Sequence, residues 1–461
     1  MKIRISNRLI ISEPTDEVKA YCKERLVLDN PDYYKKAQMG KWTGSTPEKI
    51  WLYEVMDNEL WLPFGCLQDI WNLHPIAADF INEISPIESR SYNSNINLYP
   101  YQEKAVETAI KWKNGVLVMP CGSGKTQCGL EIIARIGGRA LWLTHTQDLL
   151  NQSKARAEAV LNQGGYGTIT AGKVNVGSHI TFATVQTMAQ RIDILDFKDQ
   201  FDVIIVDEAQ HAAGTPTKVT QFYKVISGLS ARYKIGLTAT PKRADGLQAA
   251  MFALLGPKIH EVTRMDVAHT TCPVKVQMVE TGYVPDYEAV LMGDGTIDYS
   301  KVINHMIHDE NRYNVVFEFV KQLHSVMVLG NRVEYLQRMC EDAIAYGKRA
   351  VCLSGQGQSK KAKAERKAAL EKLNNDEIDV IFCTYLLAAE GLDIPNLRYV
   401  LFSTPEKNEV VVQQASGRVG RKAEGKSFGV VVDFVDDFGM YENWYRQRKK
   451  VYNRLNYDII E

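Results

Sequence analysis

The sequence predicts an α/β protein in which two tandem doubly wound parallel-sheet units follow a small α+β domain. Three observations carry that prediction. From Tyr99 onward, short β-branched runs alternate with helix-length segments, the pattern of parallel strands joined by crossover helices. The run GVLVMP (115–120) leads through CGSGKT into a helical stretch, which sets a phosphate-binding loop between a strand and a helix. Residues 1–92 hold no such loop and differ in composition from the rest of the chain.

That first stretch holds four of the seven tryptophans, Trp42, Trp51, Trp61 and Trp71. A domain of this size needs large apolar side chains to bury enough surface, so the four are expected in its core, with a stacking platform as the alternative. IWLYEVMDNELWLP alternates apolar and polar residues around Asp57-Asn58 and predicts a β-hairpin. The first fifty residues carry 10 basic and 7 acidic side chains, and the next forty carry 1 and 7. One end of the domain is open to a polyanion, with a solvated surface as the commoner reading of such a charge run. The polar SYNSNIN (91–97) is the expected linker.

The first unit, 93–262, takes its strands from GVLVMP, ALWLTH, ITFATV, DVIIVD and KIGLTAT. The second, 263–461, takes them from VKVQMVE, SVMVLG, AVCLSG, DVIFCT, YVLFST and FGVVVDF. Between 263 and 312 an irregular stretch contains Asp294-Gly295, a signal for a hairpin insertion or a surface loop.

Pro120, Cys121, Gly122, Ser123, Gly124, Lys125 and Thr126 form the loop. Its glycines let backbone N–H groups curl round a phosphate, the helix start adds the positive end of its dipole, Lys125 reaches the β/γ-phosphates, and the Thr126 hydroxyl suits Mg²⁺. Met119 stands where the first glycine of the full GxxxxGK[ST] pattern belongs. Eighty-two residues after Lys125, the apolar run DVIIVD ends in the adjacent carboxylates Asp207 and Glu208. One is placed to hold Mg²⁺ and the other to orient or deprotonate an attacking water, which implies ATP hydrolysis and not binding alone. The second unit, read as opening with SVMVLGNRVEY, has no Gly-Lys-Ser/Thr. It offers QASGRVGR, where Gln414, Arg418 and Arg421 fall at an expected helix start and the two arginines are candidate arginine fingers.

In order along the chain, these residues resemble the motif set of the superfamily 2 helicases and translocases. LYPYQEKAV with Gln102 resembles the adenine-contacting segment, PCGSGKT motif I, LWLTHTQDLLNQ and FATVQT motifs Ia and Ic, DEAQH motif II of the DExH type, and GLTATPKRADG motif III. VMVLGNRVEYL, LSGQ, CTYLLAAEGLDIP and QQASGRVGR are similar to motifs IV, IVa, V and VI. The resemblance implies two RecA-like domains. It also implies that Gln102 reads adenine, Thr238 and Thr240 couple hydrolysis to domain movement, Asp393 links nucleotide to the second domain, and Thr144, Thr184, Gln186, Ser354 and Thr384 meet a nucleic-acid backbone through neutral donors. Motif II departs from DEAH, with His211 one place later, which leaves open which side chain couples to motif III. Motif V carries Glu390, the form similar to DNA-acting Rad25-, RecG- and UvsW-like groups, and the UvsW-like branch-migration helicases of bacteriophages are the nearest likeness.

The expected activity is ATP- and Mg²⁺-dependent remodelling of branched, forked or single-stranded DNA in the 3′ to 5′ sense. An RNA helicase and the motor subunit of a restriction or repair nuclease complex remain alternatives. The expected setting is cytoplasmic, in a host cytoplasm if phage-encoded, with no membrane partner, because no apolar run approaches the ~20 residues that span a bilayer; a monomeric chain is a separate expectation. Eight cysteines without a CxxC pair argue against a metal cluster. The 55 basic and 55 acidic residues cancel, yet residues 1–92, 93–262 and 263–461 carry net charges of −3, +5 and −2. The first motor unit is the basic one. Two further basic stretches, 359–375 and YENWYRQRKKVYNRLNY, read as a solvated amphipathic helix, with a backbone-contacting patch as the alternative, and as a terminal helix docked by its aromatics, with DNA contact by its basic face as the alternative.

Overall fold

The computed structural model describes all residues except 74–78, 121, 192–193, 212–214, 240–245, 268–270, 294–295, 354–359, 390–393 and 461. The chain divides into two compact units, Met1–Thr263 and Arg264–Glu461.

The first unit begins with strands β1 (Lys2–Ile5), β2 (Leu9–Ser12), β3 (Val27–Asp29), β4 (Lys49–Trp51), β5 (Glu54–Met56), β6 (Glu59–Leu62) and β7 (Asp79–Asn82). Five of them form a sheet in the order β5-β6-β2-β1-β7, and β3 pairs with β4 alone. The expected hairpin is β5–β6, with Met56 opposite Glu59. Asp57 and Asn58 both take positive φ, 48° and 64°, the turn that matches the twist of the flanking strands.

The core of this sheet is aliphatic, built from Ile3, Leu9, Ile11, Leu60 and Leu62, and runs continuously into Val116, Leu141 and Ile204 of the adjoining parallel sheet. The tryptophans are not that core. Trp42, Trp51 and Trp71 are exposed, because short strands with β-branched and leucine side chains already fill the space between the sheet and its helices.

The parallel sheet comprises β8 (Asn114–Val118), β9 (Ala140–Thr144), β10 (Tyr166–Ile169), β11 (Val174–Asn175), β12 (Ile180–Thr184), β13 (Val203–Val206), β14 (Tyr233–Thr238) and β15 (Lys258–Glu261). Their order is β11-β10-β12-β9-β13-β14-β8-β15, parallel except at the β11 edge. Each strand expected in this unit is present.

The SYNSNIN stretch is fastened to the first unit. Tyr92 donates to the Gly138 and His179 carbonyls at 2.8 and 3.1 Å, and Ser94 donates to Glu131 at 2.6 Å.

A buried polar joint ties the amino-terminal sheet to the parallel one. The helix Pro216–Gly228 ends in carbonyls that accept from Lys234 of β14, with Nζ 3.0 Å from Ile226 O and 2.8 Å from Leu229 O. The same ammonium lies 3.3 Å from Asn7 O, while Asn7 and Arg8 side chains donate to Ser227 O. Burial and the charge of Arg8 push Lys234 down to about 7, and the carbonyl acceptors work to keep its proton.

The second unit contains β16 (Val274–Glu280), β17 (Val326–Gly330), β18 (Ala350–Leu353), β19 (Val380–Thr384), β20 (Tyr399–Phe402), β21 (Gly429–Val435) and β22 (Asp458–Ile460), in the all-parallel order β18-β19-β17-β20-β21-β16-β22. Numbered from its own first strand, this is the order of β8–β10 and β12–β15. The unit therefore opens with β16 and not with the run SVMVLGNRVEY, which is its second strand.

Two fully buried ion pairs fix helices to this sheet. Arg312 donates to both oxygens of Asp436 at 2.6 and 3.2 Å, and Arg448 to both oxygens of Asp433 at 2.8 and 2.7 Å. Arg448 lies on the helix Gly439–Arg454, which docks through Tyr441, Trp444, Tyr445 and Tyr452 as its aromatics imply. The basic stretch 359–375 forms the helix Lys360–Asn374. An antiparallel bridge between Leu291 and Ile297 closes the loop around Asp294-Gly295, which themselves lie outside the described residues.

Candidate ATP-hydrolysis site

Strand β8 ends at Val118, and the helix Lys125–Ile136 starts seven residues later, with Gly122 and Ser123 turning into it. Gly124 takes φ +80°, and a Cβ there would come 2.3 Å from Gln102 Nε2. Only glycine fits that turn. Ser123 donates to Pro120 O at 2.7 Å from inside the loop, and Gln102 Nε2 and the Tyr101 hydroxyl donate to Ser123 O at 2.8 and 3.2 Å from the helix Pro100–Trp112. Gln102 also accepts from Tyr99 N at 2.9 Å, so the side chain expected to read adenine braces the phosphate loop. Tyr99 and Tyr101 stack in parallel beside it, a contact that sequence reasoning missed although Tyr-Pro-Tyr-Gln spelled it. Cys121 lies outside the described residues.

Strand β13 delivers the two carboxylates. Glu208 sits in a left-handed conformation at φ 48°, and its N–H donates to Asp207 Oδ1 at 3.0 Å. Lys125 Nζ lies 3.4 Å from Glu208 Oε1. Burial opposes ionisation of Glu208, but Lys125 and the Gln210 amide outweigh it and hold the group below the usual carboxylate range. Asp207 goes the other way: burial and the Glu208 charge push it up.

The fold thus holds a buried carboxylate whose charge it does not fully compensate, with the Ser153 hydroxyl 3.5 Å away. That fits a divalent cation. Thr126, in the first turn of the helix, and Asp207 are hard oxygen donors of the kind Mg²⁺ takes alongside water and substrate phosphates. Bound there, Mg²⁺ would neutralise charge on the phosphates.

Gln210 answers which side chain of motif II faces motif III. Its Nε2 donates to Glu208 Oε2 at 2.8 Å, and Thr238 Oγ1 donates to its Oε1 at 2.5 Å. A continuous polar chain runs Lys125, Glu208, Gln210, Thr238, from the phosphate loop to the end of β14. His211 instead stacks on His145 at 4.1 Å, and burial with the facing His211 and Lys218 charges pushes His145 down to about 3. Thr240 lies outside the described residues.

Thr144 and Thr184 stand opposite each other at the ends of β9 and β12. Both hydroxyls are buried and engaged locally: Thr144 donates to Thr146 O at 3.0 Å, and Thr184 caps the helix Val185–Gln190 by accepting from Thr187 N at 3.1 Å. Gln186 is exposed. In the second unit Thr384 caps the next helix by accepting from Leu387 N at 3.4 Å, whereas Ser354 and Asp393 lie outside the described residues.

The arginine motif sits elsewhere on its helix than expected. The helix is Glu409–Gly417, started by Asn408, whose side chain accepts from Val410 N and Val411 N. Gln414 is buried near its end, Arg418 is its C-cap, and Arg421 follows a single 3₁₀ turn. The arginines therefore leave a helix end and not a helix start. Cys272 Sγ and Lys426 Nζ hold the Arg421 carbonyl at 3.5 and 2.9 Å.

Comparison with known proteins fits this geometry. The family described as "Type III restriction enzyme, res subunit" matches residues 95–243, and "Helicase conserved C-terminal domain" matches 310–423, together more than half of the chain. The chain is an ATP-driven helicase of superfamily 2. This helicase is 26% identical over 396 residues to "Putative ATP-dependent RNA helicase L396" of Acanthamoeba polyphaga mimivirus, an alignment covering 81% of the chain and 70% of the relative. It is 30% identical over 190 residues to "DNA 3'-5' translocase XPB2" of Sulfurisphaera tokodaii, covering 41% and 40%. The "ATP-dependent Type ISP restriction-modification enzyme LlaBIII bound to DNA" shares its fold, with TM-score 0.58 and 18% identity over 82% of the chain and 32% of that protein. The two parallel-sheet units of the helicase are accordingly RecA-like. Among the described residues no helix is long and apolar enough to cross a membrane.

Proposed function

We propose that this helicase acts on DNA, moving 3′ to 5′ along one strand and remodelling forked or branched substrates. The observation that carries the motor reading is the polar chain from Lys125 through Glu208 and Gln210 to Thr238, since it links the phosphate loop to the strand end where motif III begins. In this reading Asp207 and Thr126 hold Mg²⁺, Glu208 orients the attacking water, and Asp393, Gln414, Arg418 and Arg421 serve the nucleotide from the second unit. The two arginines act on charge that develops during phosphoryl transfer. Thr240 joins Thr238 in coupling. Gln186 on the helix Val185–Gln190 is exposed and open to a backbone contact, while Thr144 and Thr184 are buried at the ends of β9 and β12.

DNA is favoured by Glu390 in motif V and by likeness to a relative named as a DNA translocase. The motif spelling also supports a place near the UvsW-like branch of the DExH group, with residues 1–92 as the accessory domain and 93–262 and 263–461 as the motor domains. A relative named as an RNA helicase favours the second reading, RNA as track. Steady-state ATP hydrolysis with single-stranded DNA, duplex, a four-way junction and RNA separates them. The DNA reading expects the largest stimulation from single-stranded or branched DNA, and strongest stimulation by RNA overturns it.

A further inference from the structure

The first forty-nine residues end in a small projection that the helicase chemistry does not use. The helix Pro31–Gln38 buries none of its residues. The segment after it, 39–48, returns the chain to β4, and on it Trp42 is 88% and Met39 55% exposed, while Trp51 of β4 is 57% exposed. An indole in water forgoes the burial that usually places tryptophan inside, so its exposure on a built segment asks for a partner.

The segment is built. Lys41 N donates to Lys36 O at 2.9 Å and Thr46 N to Thr43 O at 2.9 Å. Asn30 Nδ2 donates to Pro47 O at 2.7 Å and Lys36 Nζ to Thr46 Oγ1 at 2.6 Å. The Trp42 ring lies over Gly44, where a Cβ would come 2.7 Å from it, so glycine at 44 lets the segment carry the indole flat against its own backbone.

Charge selects the partner. Residues 33–46 hold three lysines and no acidic residue, whereas 50–89 hold seven acidic residues and no Lys or Arg. The acidic groups nearest in sequence are engaged: Asp29 pairs with Lys49, and Glu48 accepts from the Tyr34 hydroxyl at 2.9 Å. Asp32 lies in the first turn of the helix, where a carboxylate favours the dipole. An exposed indole flanked by lysines is what binds unpaired nucleotides, by stacking on a base face and neutralising the adjacent phosphates.

We propose that this projection is a contact for single-stranded DNA, with Trp42 stacked on an unpaired base and Lys35 and Lys41 taking the flanking phosphates. The inference rests on the DNA reading above and adds a grip outside the motor units.

The test uses the full chain and a fluorescein-labelled 20-nucleotide oligo(dT), with binding followed by anisotropy. Trp42→Ala is expected to weaken binding about tenfold, and Trp42→Phe to recover most of the loss. Lys35→Ala with Lys41→Ala is expected to flatten the dependence of log affinity on log salt by about 1.4, the value for two phosphates on a single strand. An unchanged melting midpoint shows that each variant is folded. If the natural chain binds the oligonucleotide and the Trp42→Ala chain binds equally well, the projection is not the contact and the DNA reading stands. If the natural chain does not bind DNA at all, both are overturned. If Trp42→Ala changes only self-association in sedimentation, the partner is a second copy of the chain and the proposal is wrong.

Discussion

The two RecA-like sheets follow one strand order, yet the loops at their carboxyl ends are put to opposite uses. After β13 the first unit places the buried Asp207 and, in a left-handed backbone conformation, the partly buried Glu208. After β20, the matching strand, the second unit places Ser403 and Thr404, both fully buried. Ser403 donates to Leu329 O at 2.6 Å, and Thr404 accepts from Asn331 N at 2.9 Å. After β8 comes the phosphate loop with Lys125. After β16 comes Thr281, which donates to Asp436 at 2.5 Å, and Asp436 is neutralised by Arg312. Topology sets where a site can form, and the residues in the loop decide whether that place is kept reactive or closed by its own hydrogen bonds.

Asp436→Asn leaves Arg312 buried without its counter-charge and is expected to destabilise the second unit by about 3–5 kcal/mol, read as a lower denaturation midpoint. Lys125→Ala removes the charge at the phosphates and is expected to reduce ATP turnover at least about a hundredfold, measured as phosphate release. A normal rate would mean that the assigned loop is not the site.

Lys234→Met strands buried carbonyls and is expected to lower stability by about 1–3 kcal/mol. Its pH dependence has a definite sign. With the lysine pushed down to about 7 in the folded chain, the unfolded chain binds more protons above that pH. The natural chain should therefore gain stability relative to the variant as pH rises from 7 to 9, by up to about 1.4 kcal/mol per unit. Melts of both chains at the two pH values check it. Thr238→Val breaks the link to Gln210 and is expected to cut unwinding per ATP about fivefold, corresponding to about 1 kcal/mol of one buried hydrogen bond. Equal loss of hydrolysis and unwinding would remove Thr238 from coupling.

Much of the parallel-sheet architecture was legible because a buried parallel strand is a continuous β-branched run. VKVQMVE is β16 residue for residue, and GVLVMP and DVIFCT miss only their ends. The phosphate loop was legible because glycines, lysine and threonine encode a backbone shape and a charge in consecutive residues. The arginine motif was misplaced although its signal was present: Asn408 before the apolar EVVVQQ is a helix cap, which sets the arginines at the far end. Lys234 was not legible, since lysine is ordinarily a surface residue and its acceptors come from residues 7, 226 and 229. The exposed tryptophans were misread for a related reason: their hydrophobicity predicts burial, but aliphatic residues make up the core of the amino-terminal sheet.

The contrast between the sheets is tested most directly at Asp207. Asn at that position keeps an acceptor for the Glu208 N–H but removes the buried charge. Measured without nucleotide or Mg²⁺, Asp207→Asn is expected to raise the melting temperature of the first unit by about 2–4 °C, for about 1 kcal/mol, while ATP turnover falls to background. A lower melting temperature, or turnover retained, would contradict the account, because Asp207 would then serve the fold as Asp436 does.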